Sequence, residues 1–298
     1  MRNQDEIIKF LAYDGQISIT CARTTNLVEK ARELQDLSPV VTAALGRLLT
    51  ITCILGNNLK NETDKITVQI KGDGPIHGMV AVANNKAEVK GYALEPIVDI
   101  PLKREGKLDV GTAVGKNGFL NVIKDIGLKE PYRGMVPLVS GEIAEDFARY
   151  FAESEQTGTA VALGVLVDKN GVKSAGGYVI TVMPDAKEET IQIIEKNLQQ
   201  IEPISSLLEQ DIPLEQIAKK VTGEENLQVI QNNKVPTYTC NCSKEKIKKV
   251  LVSLGKQELE KILEEDKKAE IVCHFCNTAY VFTEEELKEM IKEPNNNF

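Results

Sequence analysis

An α+β fold is what this 298-residue sequence predicts, on three observations. Runs that alternate apolar and polar residues, such as Ile66, Val68 and Ile70 in "KITVQIK", are separated by turn signals rather than by helices. Helix-period segments fall between those runs without the regular strand–helix–strand rhythm of a doubly wound sheet. After Pro184 the texture changes, first to polar helical segments and then to a short module that holds four of the six cysteines. The expected organisation is an N-terminal mixed α/β core with antiparallel strands over 1–184, a helical, conditionally folded linker over 185–235, and a small cysteine-bearing module over 236–298.

The elements follow in order. "LSPVVTAALGRLLTITCILGNN" reads as a helix with Ser38 at the N-cap, Pro39 in the first turn and Gly56-Asn57 at the exit. Its interior is apolar nearly all round, which predicts burial. "KITVQIKGDGPIHGMVAVANNKAEVKGYALEP" is a meander of antiparallel strands punctuated by "GDG" and "NNK". In "SGEIAEDFARYFAESEQ", Ile143, Phe147 and Phe151 recur at helical spacing. "TAVALGVLVDKNGVKSAGGYVITVMP" returns to strands around a "DKNG" turn.

The segment 185–235 carries ten acids against five lysines and is expected to be helical. Ile191, Ile194, Leu198 and Ile201 form one apolar stripe, and Pro213 opens a second short helix in "IPLEQIAKKVTGEENL". Helices this polar need a neighbour to pack against, so their order is conditional. In the last module, Ser243 caps "KEKIKKVLVSLG", where Ile247, Val250, Leu251 and Leu254 share a face ended by Gly255. "QELEKILEE" is a second helix, and "EIVCHFCNTAYVF" reads as strand, knuckle, strand. Thr283 and Glu286 form a capping box for a last helix. About 60 residues with few large apolar side chains make a marginal fold without a staple.

That staple is legible. Cys240 and Cys242 in "YTCNCS" and Cys273 and Cys276 in "VCHFCN" supply four soft ligands, the full tetrahedral complement of a closed structural zinc site. Residues i and i+2 of an extended segment project to one face, and a two-residue gap is the usual knuckle spacing. One zinc ion is therefore expected in the reduced form, with His274 an exposed knuckle histidine rather than a ligand. Cys21 and Cys53 lie in apolar surroundings and are read as small buried hydrophobes.

Composition excludes several function classes. A net charge of −8 argues against general binding to nucleic acid or anionic membranes. The start "MRNQDEIIKFLAYDG" has no long apolar run, so no secretory signal is expected, and no stretch holds about 18 uninterrupted apolar residues. The expected location is the cytoplasm, where clustered thiols serve metal or redox chemistry rather than structural bridges. The two histidines, His77 and His274, sit in no metalloprotease or nucleophile–base pattern, and "KGDGPIHG" and "AVGKNG" match no phosphate-binding spacing. Glu142 and Glu145 are read as solvated helix charges. No active site assembles, and the protein is not expected to be an enzyme.

"TCNC" with "CHFC", "IKGDGPIHG", "SGEIAEDFARYFAESEQT", "ALGVLVD" and "AGGYVITVMP" run in one order over essentially the whole chain. In these the sequence resembles the heat shock protein 33 family of redox-regulated molecular chaperones. One departure is Gly158, where that family usually has proline; it bears on a turn and leaves the cysteines untouched. The resemblance implies that Cys240, Cys242, Cys273 and Cys276 bind zinc when reduced. It implies Cys240–Cys242 and Cys273–Cys276 disulfides on oxidation, with zinc release and unfolding of the linker. It further implies that the active form, typically a homodimer, binds unfolding client proteins without ATP and prevents their aggregation. Four cysteines by themselves allow three connectivities. If the pairing is the local one, each bridge closes a loop of one or two residues and constrains almost nothing, so the module loses its long-range cross-link.

Two other classes compete. A thiol–disulfide oxidoreductase would carry one reactive pair near a helix start in a thioredoxin-like context, which is missing. A zinc-ribbon nucleic-acid module would be basic, whereas 236–298 has ten lysines against twelve acids.

Overall fold

The structure, a computed structural model, describes residues 4–104 and 106–292. The "MRN" that begins the segment judged not to be a secretory signal lies outside them. The α+β expectation holds. The chain forms two compact units that divide between Thr239 and Cys240.

In the first unit, β1 (Glu6–Ala12) and β2 (Ile17–Arg23) form a hairpin that the strand-pattern reading did not assign. Helix α1 (Thr25–Gln35) follows, capped from outside by Asp5, whose carboxylate accepts from the Asn26 and Leu27 N–H groups at 3.0 and 2.8 Å. Helix α2 (Pro39–Asn57) is buried at every position except Pro39 and Arg47, as its all-round apolar sequence requires. Ser38 stands at its N-cap, but the hydroxyl is engaged elsewhere, donating to Val98 O and accepting from Val98 N. The meander follows as β3 (Lys65–Lys71), β4 (Gly78–Asn84) and β5 (Glu88–Ala93), antiparallel throughout.

A short α3 (Val110–Val114) precedes β6 (Phe119–Asp125) and β7 (Tyr132–Pro137). The two glycine-rich stretches dock on each other here: Gly74 N donates to Val114 O, and Asp73 accepts from Asn117. Gly115, at φ +89°, leaves no room for a side chain, since a Cβ would lie 2.2 Å from Asp73 Oδ1. Helix α4 (Ala144–Tyr150) begins four residues later than its sequence pattern suggests. Buried Asp146 reaches back to accept from Val139, Ser140, Gly141 and Ile143 N–H groups, holding 139–143 in a loop. Glu142 is thereby taken off the helix and is not a solvated charge: it pairs with Arg47 and Lys103 and accepts from Gly111 N. A π turn (Phe151–Glu155) leads to β8 (Thr159–Asp168) and β9 (Gly171–Val182), the hairpin around "DKNG".

After Pro184 come α5 (Glu188–Gln200), α6 (Ile204–Glu209) and α7 (Leu214–Thr222). The helical expectation then fails. Residues Gln228–Lys234 are a strand, β10, and Thr237–Tyr238 a second, β11. The reason is tertiary: each finds an open sheet edge. One sheet has the order β10-β1-β2-β9-β8 and the other β11-β5-β4-β3-β6-β7. Helix α2 lies between them, touching β2, β8 and β9 of the first and β3, β4 and β5 of the second. Its buried length is therefore core rather than a membrane span, although by composition alone it is long and apolar enough to be one.

The second unit contains α8 (Lys244–Ser253), α9 (Lys256–Glu265), the hairpin β12 (Ala269–Val272) and β13 (Ala279–Phe282), and α10 (Glu284–Lys292). Ser243 Oγ accepts from Lys246 N, and Thr283 and Glu286 exchange the two bonds of a capping box. Its core is small: Leu251, Leu259, Ala269, Phe282, Leu287 and Met290. Val250 and Leu254, expected on the same buried face as Leu251, are about half exposed at 56% and 53%.

Candidate metal centre and the linker-covered sheet face

Cys240 and Cys242 lie on the extended stretch before the Ser243 cap, and Cys273 and Cys276 on the turn between β12 and β13. The turn is set by backbone bonds. Cys273 N donates to Thr278 O at 3.0 Å, while Cys276 N and Asn277 N both donate to Cys273 O, with Asn277 at φ 53°. These elements bring all four sulfurs within 4.8 Å of one another. Cys240 Sγ lies 3.7 Å from Cys273 Sγ, and Cys242 Sγ 3.4 Å from Cys276 Sγ.

Those separations fit one ion. A tetrahedron with metal–sulfur bonds of about 2.3 Å has sulfurs about 3.8 Å apart, whereas a disulfide needs about 2.05 Å. All four cysteines are free. Tyr280 Oη donates to Cys242 Sγ at 3.0 Å, which raises the phenol to about 12, and Thr278 Oγ1 lies 3.2 Å from Cys276 Sγ. Desolvation pushes the Cys240 and Cys273 thiols up, and Cys240 reaches about 12. At Cys276 the same burial is outweighed by hydrogen bonds from Thr278 and the neighbouring thiols, which bring it down to about 7. The Cys276 sulfur thus carries negative charge more readily than an ordinary thiol, as one ligand of a cation would. His274 is exposed and stands outside the cluster, and His77 is exposed on its turn.

Cys21 and Cys53 are both fully buried, and desolvation raises both thiols, Cys53 to about 12. They belong to different cores. Cys53 sits between the sheets, whereas Cys21 lies on the opposite face of the first sheet.

That face is the feature sequence reasoning missed. Phe10, Ile17, Ile19, Tyr178 and Ile180 are covered by Ile194 of α5, Ile204, Leu207 and Leu208 of α6, and Leu214, Ile217 and Val221 of α7. Gly164 and Gly176, register partners on β8 and β9, form a flat floor for α6. A Cβ on Gly176 would lie 2.5 Å from Leu208 Cδ1 and 2.3 Å from Ala22 O. Buried Arg23 donates to Leu208 O and Ile212 O at 3.1 and 3.0 Å and lies 3.5 Å from Asp211, tying the α6–α7 turn to β2. The glycines were visible in "ALGV" and "AGGYV", but nothing local shows that a helix rests on them.

With this geometry in hand, comparison with known proteins is specific. The family model described as Hsp33 protein matches residues 5–283. The 33 kDa chaperonin of Clostridioides difficile is 47% identical over 290 residues, covering 97% of this chain and 99% of its own. That of Alkaliphilus oremlandii is 47% identical over 298 residues, covering 99% of each. The crystal structure of the 33 kDa chaperonin of Thermotoga maritima matches with a TM-score of 0.90 at 40% identity, over 97% of this chain and 98% of that one.

Proposed function

The chain belongs to the Hsp33 family of chaperones, and from that premise we propose that it is a redox-regulated, ATP-independent holdase of the cytoplasm. In the reduced form Cys240, Cys242, Cys273 and Cys276 hold one zinc ion and the protein is inactive. Bound there, zinc would keep the four sulfurs as thiolates and join two cysteine pairs thirty residues apart in a module whose own core is slight. Oxidation converts Cys240 with Cys242 and Cys273 with Cys276 into disulfides. The four thiolates give up four electrons to two molecules of hydrogen peroxide, which take four protons and leave as four waters. No thiolate then remains to hold the metal, and the module unfolds.

The pairing decides the outcome. A Cys240–Cys273 bridge would keep the long-range link and hold the module much as the metal does. Local bridges keep nothing. Cys240 Sγ and Cys273 Sγ, 3.7 Å apart, and Cys242 Sγ and Cys276 Sγ, 3.4 Å apart, belong to crossed pairs, but at separations under 4.8 Å every pairing is within reach. An i, i+2 bridge is strained and so readily reduced, which suits reversal.

The observation that carries the chaperone reading is the apolar sheet face under 185–235. Once α5 to α7 lose order, Phe10, Ile17, Ile19, Tyr178 and Ile180 form a contiguous apolar surface of the kind that meets exposed apolar segments of an unfolding protein. The surplus of acids on the released linker keeps the open form soluble. Clients are unfolding proteins, and the active species is a homodimer.

The test treats the reduced, zinc-loaded protein with hydrogen peroxide under mild heat. It follows zinc release, alkylation of Cys21 against Cys53 by mass spectrometry, and light scattering from an aggregating client. The expected result is zinc release, alkylation at Cys21 with Cys53 still protected, Cys240–Cys242 and Cys273–Cys276 peptides, and suppressed scattering. An oxidised, zinc-free protein that suppresses scattering no better than the reduced one rules the reading out.

A further inference from the structure

The linker covers more than a face. Its last strand, β10, borders β1 on the outer side of the five-stranded sheet. The two sides of β1 differ sharply. Against β2 it pairs over seven residues, Glu6 to Ala12, without a break in register. Against β10 the register shifts twice, between Ile7 and Lys9 and again between Lys9 and Phe10. The resident strand, "QVIQNNK", is mostly amide side chains, and its two apolar residues, Val229 and Ile230, are about half exposed. A polar, bulged strand thus closes a regular, apolar edge.

Resting on the proposed release of 185–235, we infer that the outer edge of β1 is a strand-accepting site that takes an extended segment of the client by antiparallel β-addition in place of β10. Departure of β10 leaves a row of β1 N–H and C=O groups unpaired, and a non-native chain carries the same groups unpaired. Main-chain bonds between them are independent of client sequence, so the edge accepts many proteins, with alternate side chains supplying the selectivity. Every second client residue would fall on the face of Phe10 and Ala12, uncovered by the same event. Those between would meet the end of α2. There the Asn57 amide now donates to Gln231 Oε1 at 2.9 Å, and its Oδ1 is buried without a partner. An amide or hydroxyl side chain at that register satisfies the site, so the segment favoured is apolar on alternate residues with one polar residue facing Asn57.

The test locks β10 in place while leaving the helices free. Leu11 and Gln228 are register partners. The double variant Leu11→Cys with Gln228→Cys bridges them on peroxide treatment, two thiols giving two electrons to one peroxide and two waters leaving. The probe is fluorescein-labelled, carboxymethylated α-lactalbumin, a permanently unfolded chain, and peptide mapping verifies the bridge. The locked protein is expected to release zinc and expose Cys21 like the parent but to bind the probe about tenfold more weakly, as loss of several main-chain bonds requires. The Gln228→Cys single variant, which cannot form the bridge, should bind like the parent. A locked protein that binds the probe as tightly as the parent overturns the inference and leaves the holdase reading standing. An oxidised parent that binds no probe overturns both. A second measurement needs no bridge: a benzophenone amino acid at Leu11 should cross-link the probe only after oxidation and well above one at Leu166, on the opposite edge strand β8. Equal yields at the two edges also overturn it.

Discussion

The core around α2 and the C-terminal module reach order by different physics. Between the two sheets, α2 buries Leu45, Leu48, Leu49, Ile51 and Ile54 completely, and strands from both sides meet it. Among the described residues, the core cluster of the C-terminal module holds six buried apolar side chains, and Val250 and Leu254 are left half exposed. Burial alone holds the first, whereas on the proposed reading the second is held by its metal as well. A fold held by many dispersed contacts fails gradually, and one held at a single point fails when that point does. In sequence between them, helices α5 to α7 cover the outer face of the first sheet.

The sharpest way to break this contrast is to remove the metal. A chelator at neutral pH is expected to abolish the module's own unfolding transition, since a structural zinc site contributes about 10–16 kcal/mol of apparent free energy. The transition of the core should persist, read by calorimetry or by proteolysis that spares 4–184. Loss of both transitions together would erase the distinction.

Leu48→Ala tests the other side. It should cost the core about 2–5 kcal/mol in urea unfolding while leaving the zinc-release rate unchanged, because the cavity lies between the sheets.

The core also carries a pH response of its own, at Asp5. Burial raises Asp5 from 3.8 to about 6 against the pull of the Asn26 and Leu27 N–H bonds and nearby Arg23. A carboxyl whose folded value is raised contributes stability that is complete below about 4 and lost as the pH passes 6. Relative to Asp5→Asn, the parent core should lose on the order of 3 kcal/mol between pH 4 and 7 in urea titrations. Parallel curves for parent and variant would refute this.

Gly176→Val probes the seat of α6 on the sheet. Its side chain would collide with Leu208 and the Ala22 carbonyl, unseating α6 at a cost of about 1–3 kcal/mol. The reduced, zinc-loaded variant should then alkylate faster at Cys21 but not at Cys53. Unchanged Cys21 protection would mean that α6 does not rest on the glycine floor.

Much of this was legible in the sequence. The apolar girth of α2, the "DKNG" hairpin, the caps at Ser243 and Thr283 and the four-cysteine constellation are local or nearly local patterns, and each appears where it was read. Other features were not. Residues 228–234 have the polarity of a helix surface and form a strand because β1 offers them an edge. The expected helix at 140–156 starts late because Asp146 reaches back into the preceding loop. Glu142, read as a solvated charge, joins Arg47 and Lys103 because the loop turns it toward α2.

The sequence by itself determined the α+β class, the central buried helix and a donor set for one metal ion. Spacing along the chain encodes periodicity, capping and ligand count, and those are properties of a few neighbouring residues. Tertiary structure alone decided which surface the linker conceals and which strand edge it closes. Both depend on residues more than a hundred positions apart meeting across a sheet, as Arg23 meets Leu208 and Phe10 meets Val229.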